Sequence, residues 1–346
     1  MIYRLINIPV FLEIGEGVVD RFDDILRKNN VSFEKPLVLS GPNSSKVLEK
    51  TGIFHRFDKK IISSSETGDL LELKSSIYGK GYDLLIAAGG GRVIDSGKFL
   101  SVETTLPVIA IPTILASDSV SSPISILKEN GKYRSLGTVM PTGVIIDLDI
   151  VKKSPQNYTK AGLGDLMSNI SASFDWELAF KRGVEKIDNF SRLIALMPAE
   201  KILANSDVYN GPADTGFLRD LAEGLVLSGI SMGIAGSSRP ASGSEHNISH
   251  SLDRLLMEKR KLHGLQVGFA TLLTLILQDQ REKAKKLLGF YKRMKFPVNP
   301  LELGIDCETL KRAIEIAPRI RERYTILNET PEEKRISVLE EFCLLT

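Results

Sequence analysis

The sequence has little of what marks an exported, membrane-spanning or disulfide-built protein. Its two cysteines, Cys307 and Cys343, are far apart and form no CxxC pair, which favours a reducing cytoplasm in which both are buried core thiols. Arg4 and Glu13 stand in the N-terminal stretch without a small-residue cleavage pattern, so we expect no signal peptide. The longest apolar stretch, 265–277, is broken by a glutamine, a glycine and two threonines and is too short for a membrane span. We therefore expect a cytoplasmic protein.

An excess of charge of one sign is also missing. The 45 lysines and arginines and the 43 acidic residues nearly cancel to a net charge of +2, so no surface for nucleic acid is predicted. A small anionic substrate is compatible with this balance, because one local cluster of positive charge suffices to bind it. With 346 residues and 42% hydrophobic content, the chain is long enough for a large core and for two domains.

Short apolar runs dominate the first part of the chain, and helical periodicity dominates the second. The runs are separated by helix-length segments and cover 36–40, 82–90, 107–113 and 143–149. Such runs are typical of parallel strands that are covered on both faces. After Pro155 the runs stop and long helical patterns follow. The sequence thus predicts an α/β domain at 1–150 and an all-α domain at 151–346.

A glycine turn follows the predicted strand at 83–88. Gly89, Gly90 and Gly91 stand directly before a helical pattern. Glycines let the main chain approach a ligand, and the N–H groups at a helix N-terminus bind a pyrophosphate. The turn is neither the GxGxxG of Rossmann folds nor a P-loop, because the Gly-Lys pair at 97–98 lacks the earlier glycine and the following hydroxyl residue. We predict a dinucleotide site here; the alternative is a tight turn without a ligand.

A second loop, at 111–127, follows the next predicted strand and is rich in small hydroxyl side chains. In open α/β sheets, ligands bind outside the carboxyl ends of the strands, in a cleft that the helical domain would close. Asp118 is the residue of this loop that we expect to take part in function. The alternative is a plain serine-rich connection.

The strand at 36–40 ends without an acidic residue. Classical dinucleotide folds place a carboxylate there to bind the ribose 2′-hydroxyl, whereas here the sequence continues as Gly-Pro-Asn-Ser-Ser-Lys at 41–46. No carboxylate stands there to repel a 2′-phosphate. We therefore expect NADP(H) to be accepted, alongside NAD(H).

Three of the four histidines, His246, His250 and His263, stand within one short stretch of the helical half. Histidine is a preferred ligand of zinc and similar ions. Spacing alone favours His246 and His250, which lie four residues apart on one helical face, although HExxH is absent because Glu245 precedes His246. An oxygen ligand would come from a carboxylate at a buried helix start, and Asp165 is the best candidate; the alternative for it is a helix N-cap.

Four blocks of the chain, GGGRVIDSGK, IPTILASD, AGLGDLMSNISASFDWELA and GSEHNISHSLD, resemble the superfamily of iron-containing alcohol dehydrogenases and dehydroquinate synthases. Within it, the blocks resemble most the archaeal-type sn-glycerol-1-phosphate dehydrogenases. The strongest blocks lie between residues 83 and 264. The resemblance implies a dehydroquinate synthase-like fold, with a dinucleotide-binding α/β domain followed by a helical domain that binds metal and substrate.

Residue by residue, the resemblance implies a metal site of Asp165, His246 and His263, in place of the pair that spacing favours. It matches Asp118 to an aspartate that contacts the substrate and puts His250 beside the substrate, so that Asp118, Asp165 and His250 are the implied catalytic residues. With the glycine turn, the predicted cofactor-binding residues are Gly89, Gly90, Gly91, Arg92, Val93, Ile94, Asp95, Thr113, Ile114, Leu115, Ala116 and Ser122.

The implied activity is the reduction of dihydroxyacetone phosphate by NADPH or NADH to sn-glycerol 1-phosphate, the backbone of ether phospholipids. The resemblance implies Zn2+, which polarises a ketone while the nicotinamide supplies hydride. We assign His250 to a proton relay or a substrate hydrogen bond, because an imidazole exchanges protons near neutral pH. The resemblance also implies a homo-oligomer.

Three alternatives stay open. A glycerol dehydrogenase would share nearly all the ligands but needs no phosphate site. A dehydroquinate synthase-like lyase is less favoured, because the resemblance calls for a glutamate where Asp165 stands. A non-enzymatic dinucleotide-binding module would leave the histidines without a purpose. The sequence does not rank the cations that could bind the substrate phosphate, which are Lys98, Arg134, Lys160 and Arg219.

Overall fold

The computed structural model describes residues 8–345, which form two compact units. Unit 1 comprises the described residues up to Pro155 together with Leu225–Ile234, and unit 2 comprises Gln156–Gly224 and the residues from Ala235 onward. Residues 1–7, which carry part of the signal-peptide prediction, lie outside the described residues. The predicted fold class, an α/β part followed by an all-α part, is confirmed.

Unit 1 contains a six-stranded parallel sheet and a separate two-stranded antiparallel hairpin. The strand order in the large sheet is β1-β8-β5-β4-β2-β3, and the hairpin is β6-β7. The strands are β1 (Phe11–Gly15), β2 (Pro36–Ser40), β3 (Asp58–Ile61), β4 (Leu84–Gly89), β5 (Val108–Pro112), β6 (Ile124–Glu129), β7 (Lys132–Gly137) and β8 (Gly143–Asp147).

The central strands are buried on both faces of the sheet. Ile86 and Ile109 pack into one hydrophobic cluster, and their neighbours Leu85 and Val108 pack into the other. Alternate residues of a strand point to opposite faces, so a strand covered on both sides must be apolar throughout. This explains why the four apolar runs in the sequence coincide with β2, β4, β5 and β8.

Short helices connect these strands along the chain. Those of unit 1 are α1 (Phe22–Lys28), α2 (Pro42–Leu48), α3 (Gly52–Arg56), α4 (Thr67–Ile77), α5 (Gly91–Thr104) and α6 (Leu148–Lys152). The predicted serine-rich connection after β5 gives way to a strand at Ile124, because the β-branched and aliphatic residues there form the hairpin.

Unit 2 is helical. Its helices are α7 (Gln156–Lys181), α8 (Asn189–Ala204), α9 (Thr215–Ala235), α10 (Ser244–Leu256), α11 (His263–Leu277), α12 (Arg281–Arg293), α13 (Cys307–Ile316), α14 (Ile326–Glu329) and α15 (Glu332–Leu345), of which α9 contributes Leu225–Ile234 to unit 1. Among the described residues, no helix combines the length and apolar character needed to cross a bilayer. Cys307 is exposed at the start of α13, so its prediction as a core thiol is wrong; the side chain of Cys343 lies outside the described part.

Candidate active site

Asp165, His246 and His263 lie together in unit 2. One ligand atom from each of the three lies within 4.8 Å of the others, and Nε2 of His263 is 3.9 Å from Oδ1 of Asp165. Asp165 is a buried residue in the middle of α7, not at a helix start, so the expectation of a helix start and the N-cap alternative are both wrong. His246 stands in the first turn of α10, and His263 begins α11.

Glycines next to two of these residues explain how they meet. A Cβ on Gly164 would overlap the carbonyl oxygen of Gly264, and a Cβ on Gly264 would overlap the carbonyl oxygen of Ala161. The backbones of α7 and α11 are therefore in direct contact, which only glycine permits. Because Asp165 follows Gly164 and His263 precedes Gly264, this contact holds the carboxylate and the imidazole side by side.

Hydrogen bonds set the orientation of both imidazoles. The carboxylate of Glu245, which is fully buried, lies 3.0 Å from Nδ1 of His246. The hydroxyl of Ser249 donates to Oε1 of Gln266 at 2.8 Å, so its oxygen is left to accept from Nδ1 of His263 at 3.2 Å. With a proton on each Nδ1, the Nε2 atoms keep the lone pairs that a metal requires.

The protonation of the three histidines suits metal binding at neutral pH. Burial is the largest cause that lowers the pKa of His246 and of His263 to about 3 and that of His250 to about 2. All three rings are therefore neutral near pH 7. Two neutral imidazoles and one carboxylate are a donor set that fits a divalent ion such as zinc.

His250 lies beside this cluster and bonds differently. Its ring centroid is 6.0 Å from that of His263 and 6.3 Å from that of His246. Nη1 of Arg321 lies 3.2 Å from Nε2 of His250. Because arginine only donates, this Nε2 is an acceptor and the proton of the neutral ring is on Nδ1. The Nδ1–H is thus the donor that His250 can offer a ligand.

Replacing Glu245 by glutamine is expected to weaken metal binding about tenfold. A residue that hydrogen-bonds a histidine ligand typically contributes about 10- to 100-fold to metal affinity, and glutamine keeps an acceptor for Nδ1–H while losing the charge. Competition with a fluorescent chelator measures this affinity. Glu258→Gln, at an exposed position in the same unit, is the control and should bind metal as the unaltered protein does. Unchanged affinity in a folded Glu245→Gln protein would show that Glu245 does not orient the ligand.

The glycine turn of unit 1 connects β4 to α5. Gly90 is the N-cap of α5, and no side chain among the described residues caps this helix, so its first N–H groups are left for a ligand. A Cβ at Gly89 would lie 2.7 Å from Cγ2 of Val93 and 2.9 Å from Oγ of Ser44, which explains why a glycine stands there. A Cβ at Gly91 would lie 3.3 Å from Oγ of Ser119. The turn is therefore compact, and it offers a ligand main-chain atoms rather than side chains.

Several of the predicted cofactor-binding side chains face the interior of unit 1. Val93, Ile94 and Leu115 are buried in the core, Ser122 donates to the carbonyl of Ile124, and Asp95 pairs with Lys98. Arg92 is exposed, Thr113 is buried, and Ile114 and Ala116 are half-buried. At the buried positions, only the main chain is left to contact a dinucleotide.

Asp118 begins a short 3-10 helix, Asp118–Val120, in the loop after β5. Its Oδ2 accepts a hydrogen bond from Oγ of Ser228 at 3.0 Å. Burial raises the pKa of Asp118 to about 6, the hydrogen bond from Ser228 opposing this. A carboxyl group with such a pKa exchanges its proton closer to neutral pH than an ordinary aspartate does.

The four candidates for binding the substrate phosphate lie in different surroundings. Nζ of Lys98 is fully buried and donates to the carbonyls of Ser119, Ser122 and Ile124 at 2.6–3.0 Å, so its three donors are already used. Lys98 is therefore unsuited to the role. Arg134 and Arg219 are exposed, and Lys160 is half-buried. The cation that hydrogen-bonds to His250 is Arg321, which is not among these four.

That cation, Arg321, was missed from the sequence, as was its neighbour Arg323. Both stand in the irregular segment between α13 and α14. The pattern Arg-Glu-Arg at 321–323 is short and charged, and such patterns usually mark a solvated surface. The alternation of two arginines around a glutamate was the only signal that the sequence of this segment offered.

Comparisons with known proteins identify the family of the chain. Residues 13–155 match the family described as iron-containing alcohol dehydrogenase. Over 350 aligned residues, the chain is 37% identical to a glycerol-1-phosphate dehydrogenase, NAD(P)+, of Methanococcus maripaludis strain C7, covering 97% of this chain and 98% of the relative. It is 33% identical to the enzyme of the same name from Thermococcus kodakarensis, with 94% and 93% covered.

Solved structures with this fold are more distant in sequence. A probable glycerol dehydrogenase from Sinorhizobium meliloti superposes with a TM-score of 0.78 at 19% identity, covering 99% of both chains. A maleylacetate reductase from Agrobacterium tumefaciens superposes with a TM-score of 0.74 at 17% identity, covering 99% of this chain and 98% of that chain. At such identities the likeness shows the fold alone.

The first part of the chain is thus similar to iron-containing alcohol dehydrogenases, and the solved structures share its fold. The chain belongs to the family of the NAD(P)+ glycerol-1-phosphate dehydrogenases, as the identity over nearly its full length shows. The predictions of the family and of an NAD(P)-dependent oxidoreductase are thereby confirmed. The individual site residues stay predictions.

Proposed function

We propose that this chain reduces dihydroxyacetone phosphate with NADPH or NADH to sn-glycerol 1-phosphate, for the backbone of ether phospholipids. The observation that carries the proposal is the cluster of Asp165, His246 and His263, in a chain whose relatives of 33–37% identity are named for this dehydrogenase. The predicted domain at 1–150 would bind the dinucleotide, and the predicted domain at 151–346 would bind metal and substrate.

The metal would be held by Asp165, His246 and His263, and we propose that it is Zn2+. The support is the donor set, one carboxylate oxygen and two imidazole Nε2 atoms whose tautomers are set by Glu245 and Ser249. When bound, the ion supplies Lewis acidity at a substrate carbonyl, and the nicotinamide supplies hydride.

The dinucleotide would bind at the turn that joins β4 to α5. The uncapped N-terminus of α5 offers N–H groups to the pyrophosphate, and Gly90 and Gly91 keep side chains out of the way. Residue 41, which follows β2, is a glycine, and the residues at 42–46 carry no carboxylate. This supports the acceptance of NADP(H), because no negative charge stands there against a 2′-phosphate.

His250 would act on the substrate through a hydrogen bond. Its Nε2 accepts from Arg321, so that Nδ1–H is the group it can donate, and its low pKa favours the neutral ring over a proton carrier at neutral pH. Asp118, held by Ser228, would contact the substrate, as the family resemblance implies. Of the two roles considered for His250, the geometry supports the hydrogen bond.

The second candidate function is glycerol oxidation, the activity for which the probable glycerol dehydrogenase with the same fold is named. Steady-state kinetics separate the two. We expect kcat/KM for dihydroxyacetone phosphate with NADPH to exceed that for glycerol with NADP+ by at least about 1,000-fold, because a site built to hydrogen-bond a group discriminates strongly against a substrate lacking it. NADH should also support turnover. Activity with glycerol alone would replace this proposal with the second.

A further inference from the structure

Arg321 and Arg323 share a pair of hydroxyl-bearing partners. Nη1 of Arg321 donates to Oγ of Ser242 at 3.2 Å, and Nη2 of Arg323 donates to Oγ of Ser238 at 3.0 Å. Arg323 also donates to the backbone carbonyl of Ser242. The two guanidinium groups and the two hydroxyls therefore form one cluster, which we call the arginine-serine cluster.

The positive charge of this cluster is not balanced locally. Within residues 8–345, neither guanidinium has a carboxylate at ion-pairing distance, whereas the neighbouring Arg239 is paired with Glu185 at 2.8 Å. Both guanidinium groups are charged at neutral pH, because arginine stays protonated in proteins even where burial lowers its pKa, as it does for Arg323, to about 9. Two like charges held close together in a partly buried position cost free energy, which a bound anion would offset.

The arginine-serine cluster adjoins the metal cluster, and its two arginines are accessible to solvent. Arg321 bonds His250, whose ring centroid is 6.0 Å from that of His263. Arg321 and Arg323 also line an open cavity of about 560 Å³ in unit 2. In dihydroxyacetone phosphate, one methylene and one ester oxygen separate the carbonyl carbon from phosphorus. A phosphate group on the arginines is therefore compatible with a carbonyl group close to the histidines.

We propose that Arg321 and Arg323, together with Ser238 and Ser242, bind the phosphate group of the substrate, with His250 between this subsite and the metal cluster. The identity of the substrate rests on the proposed function; the phosphate subsite does not. Guanidinium groups bind phosphate oxygens through paired, charge-assisted hydrogen bonds, and serine hydroxyls add donors. This assigns the role that Lys98, whose donors are used inside unit 1, is unsuited to fill.

The test is a comparison of Arg323→Gln and of the double variant Arg321→Gln/Arg323→Gln with the unaltered protein. The glutamine side chain keeps an N–H donor for the serine that the arginine contacts, Ser242 or Ser238, but it carries no positive charge. Calorimetric titration with inorganic phosphate should show affinity reduced about 10- to 100-fold in each variant. With dihydroxyacetone phosphate, KM should rise by a similar factor in both variants, and kcat should change less than about threefold in Arg323→Gln, which leaves the bond between Arg321 and His250 in place. Arg312→Gln, at an exposed position on α13, is the control and should leave both quantities unchanged.

Dihydroxyacetone, which lacks the phosphate, adds a readout that loss of structure would not mimic. Its kcat/KM should be the same in Arg323→Gln and in the unaltered protein, since Arg323 then has no phosphate to bind. Equal losses for dihydroxyacetone and for its phosphate would overturn the proposal and assign the arginines to structure. If the variants do not fold, crystals of the unaltered protein soaked in inorganic phosphate decide: phosphate on Arg321 and Arg323 supports the proposal, and phosphate bound only elsewhere overturns it.

The outcomes separate this proposal from the proposed function. Phosphate binding at the arginines without turnover of dihydroxyacetone phosphate would refute the proposed function and leave the subsite in place. Turnover with a KM that does not respond to the arginine variants would refute the subsite and leave the proposed function in place.

Discussion

Replacing Asp165 by asparagine should lower metal affinity by at least about 100-fold and kcat by about 1,000-fold. An amide is a neutral and much weaker ligand than a carboxylate, and loss of a residue that only hydrogen-bonds a ligand already costs about 10- to 100-fold in metal affinity. Metal polarisation of a carbonyl contributes several kcal/mol, which corresponds to about 1,000-fold in rate. Metal content after dialysis, measured by atomic absorption, and turnover with dihydroxyacetone phosphate test both expectations.

Asparagine has as many non-hydrogen atoms as aspartate and the same shape, so the contact between α7 and α11 should persist. Asp207→Asn, at an exposed position of unit 2, is the matched control and should keep its metal and its activity. Thermal unfolding monitored by circular dichroism checks that both proteins are folded. An Asp165→Asn protein with full metal content would remove Asp165 from the ligand set.

Replacing Gly90 by aspartate should raise KM for NADPH by about 100-fold or more without changing metal affinity. Aspartate is a preferred N-cap, so its carboxylate would occupy the N–H groups of α5 and repel the pyrophosphate that is proposed to bind there. Charge-assisted hydrogen bonds of this kind are worth about 1.5–3 kcal/mol each before the repulsion is counted. Initial rates against NADPH concentration, and fluorescence titration of NADPH, provide the measurement.

The backbone of Gly90 has an ordinary extended conformation, and a Cβ there would meet only the flexible end of Ile114, at 2.9 Å, so the variant should fold. Gly68→Asp is the matched control, because Gly68 lies near the N-terminus of another helix, α4, and has nothing within 4 Å of an added Cβ. Its KM for NADPH should not change. If Gly90→Asp bound NADPH as tightly as the control, the dinucleotide would have to bind away from this turn.

The central sheet was largely predictable, while its edge and hairpin were not. β2, β4, β5 and β8 are continuous apolar runs because both of their faces are covered. β3 at the sheet edge carries charged and exposed residues, and the hairpin β6-β7 has one largely exposed strand. Such strands have no apolar pattern that separates them from loops.

The metal cluster shows why local spacing was insufficient. His246 and His250 share a helix face, yet the ring centroid of His246 is 5.0 Å from that of His263 and 6.3 Å from that of His250. His263 returns to the site because the chain reverses after α10, where Met257 has a φ of 51°, and because α11 packs on α7 through glycines. Hydrophobic periodicity predicts neither the reversal of the chain nor the glycine contact. The ligand set was therefore predicted only from the family resemblance.

Arg321 and Arg323 were beyond sequence reasoning for a related reason. Their role depends on Ser238, Ser242 and His250, which lie more than 70 positions earlier in the chain and meet the arginines only in the folded unit. From the sequence alone, a charged residue in an irregular segment is interpreted as part of the solvated surface. Lys98 illustrates the reverse case, since a lysine that looked available proved to be fully buried.

The most direct test of the proposed function is NADPH oxidation by chelator-stripped protein given dihydroxyacetone phosphate, before and after addition of Zn2+. We expect turnover to depend on the added metal, and we expect the product to be refused by a glycerol-3-phosphate dehydrogenase, as sn-glycerol 1-phosphate is. A product consumed by that enzyme, or turnover that is unchanged by removal and return of the metal, would contradict this account.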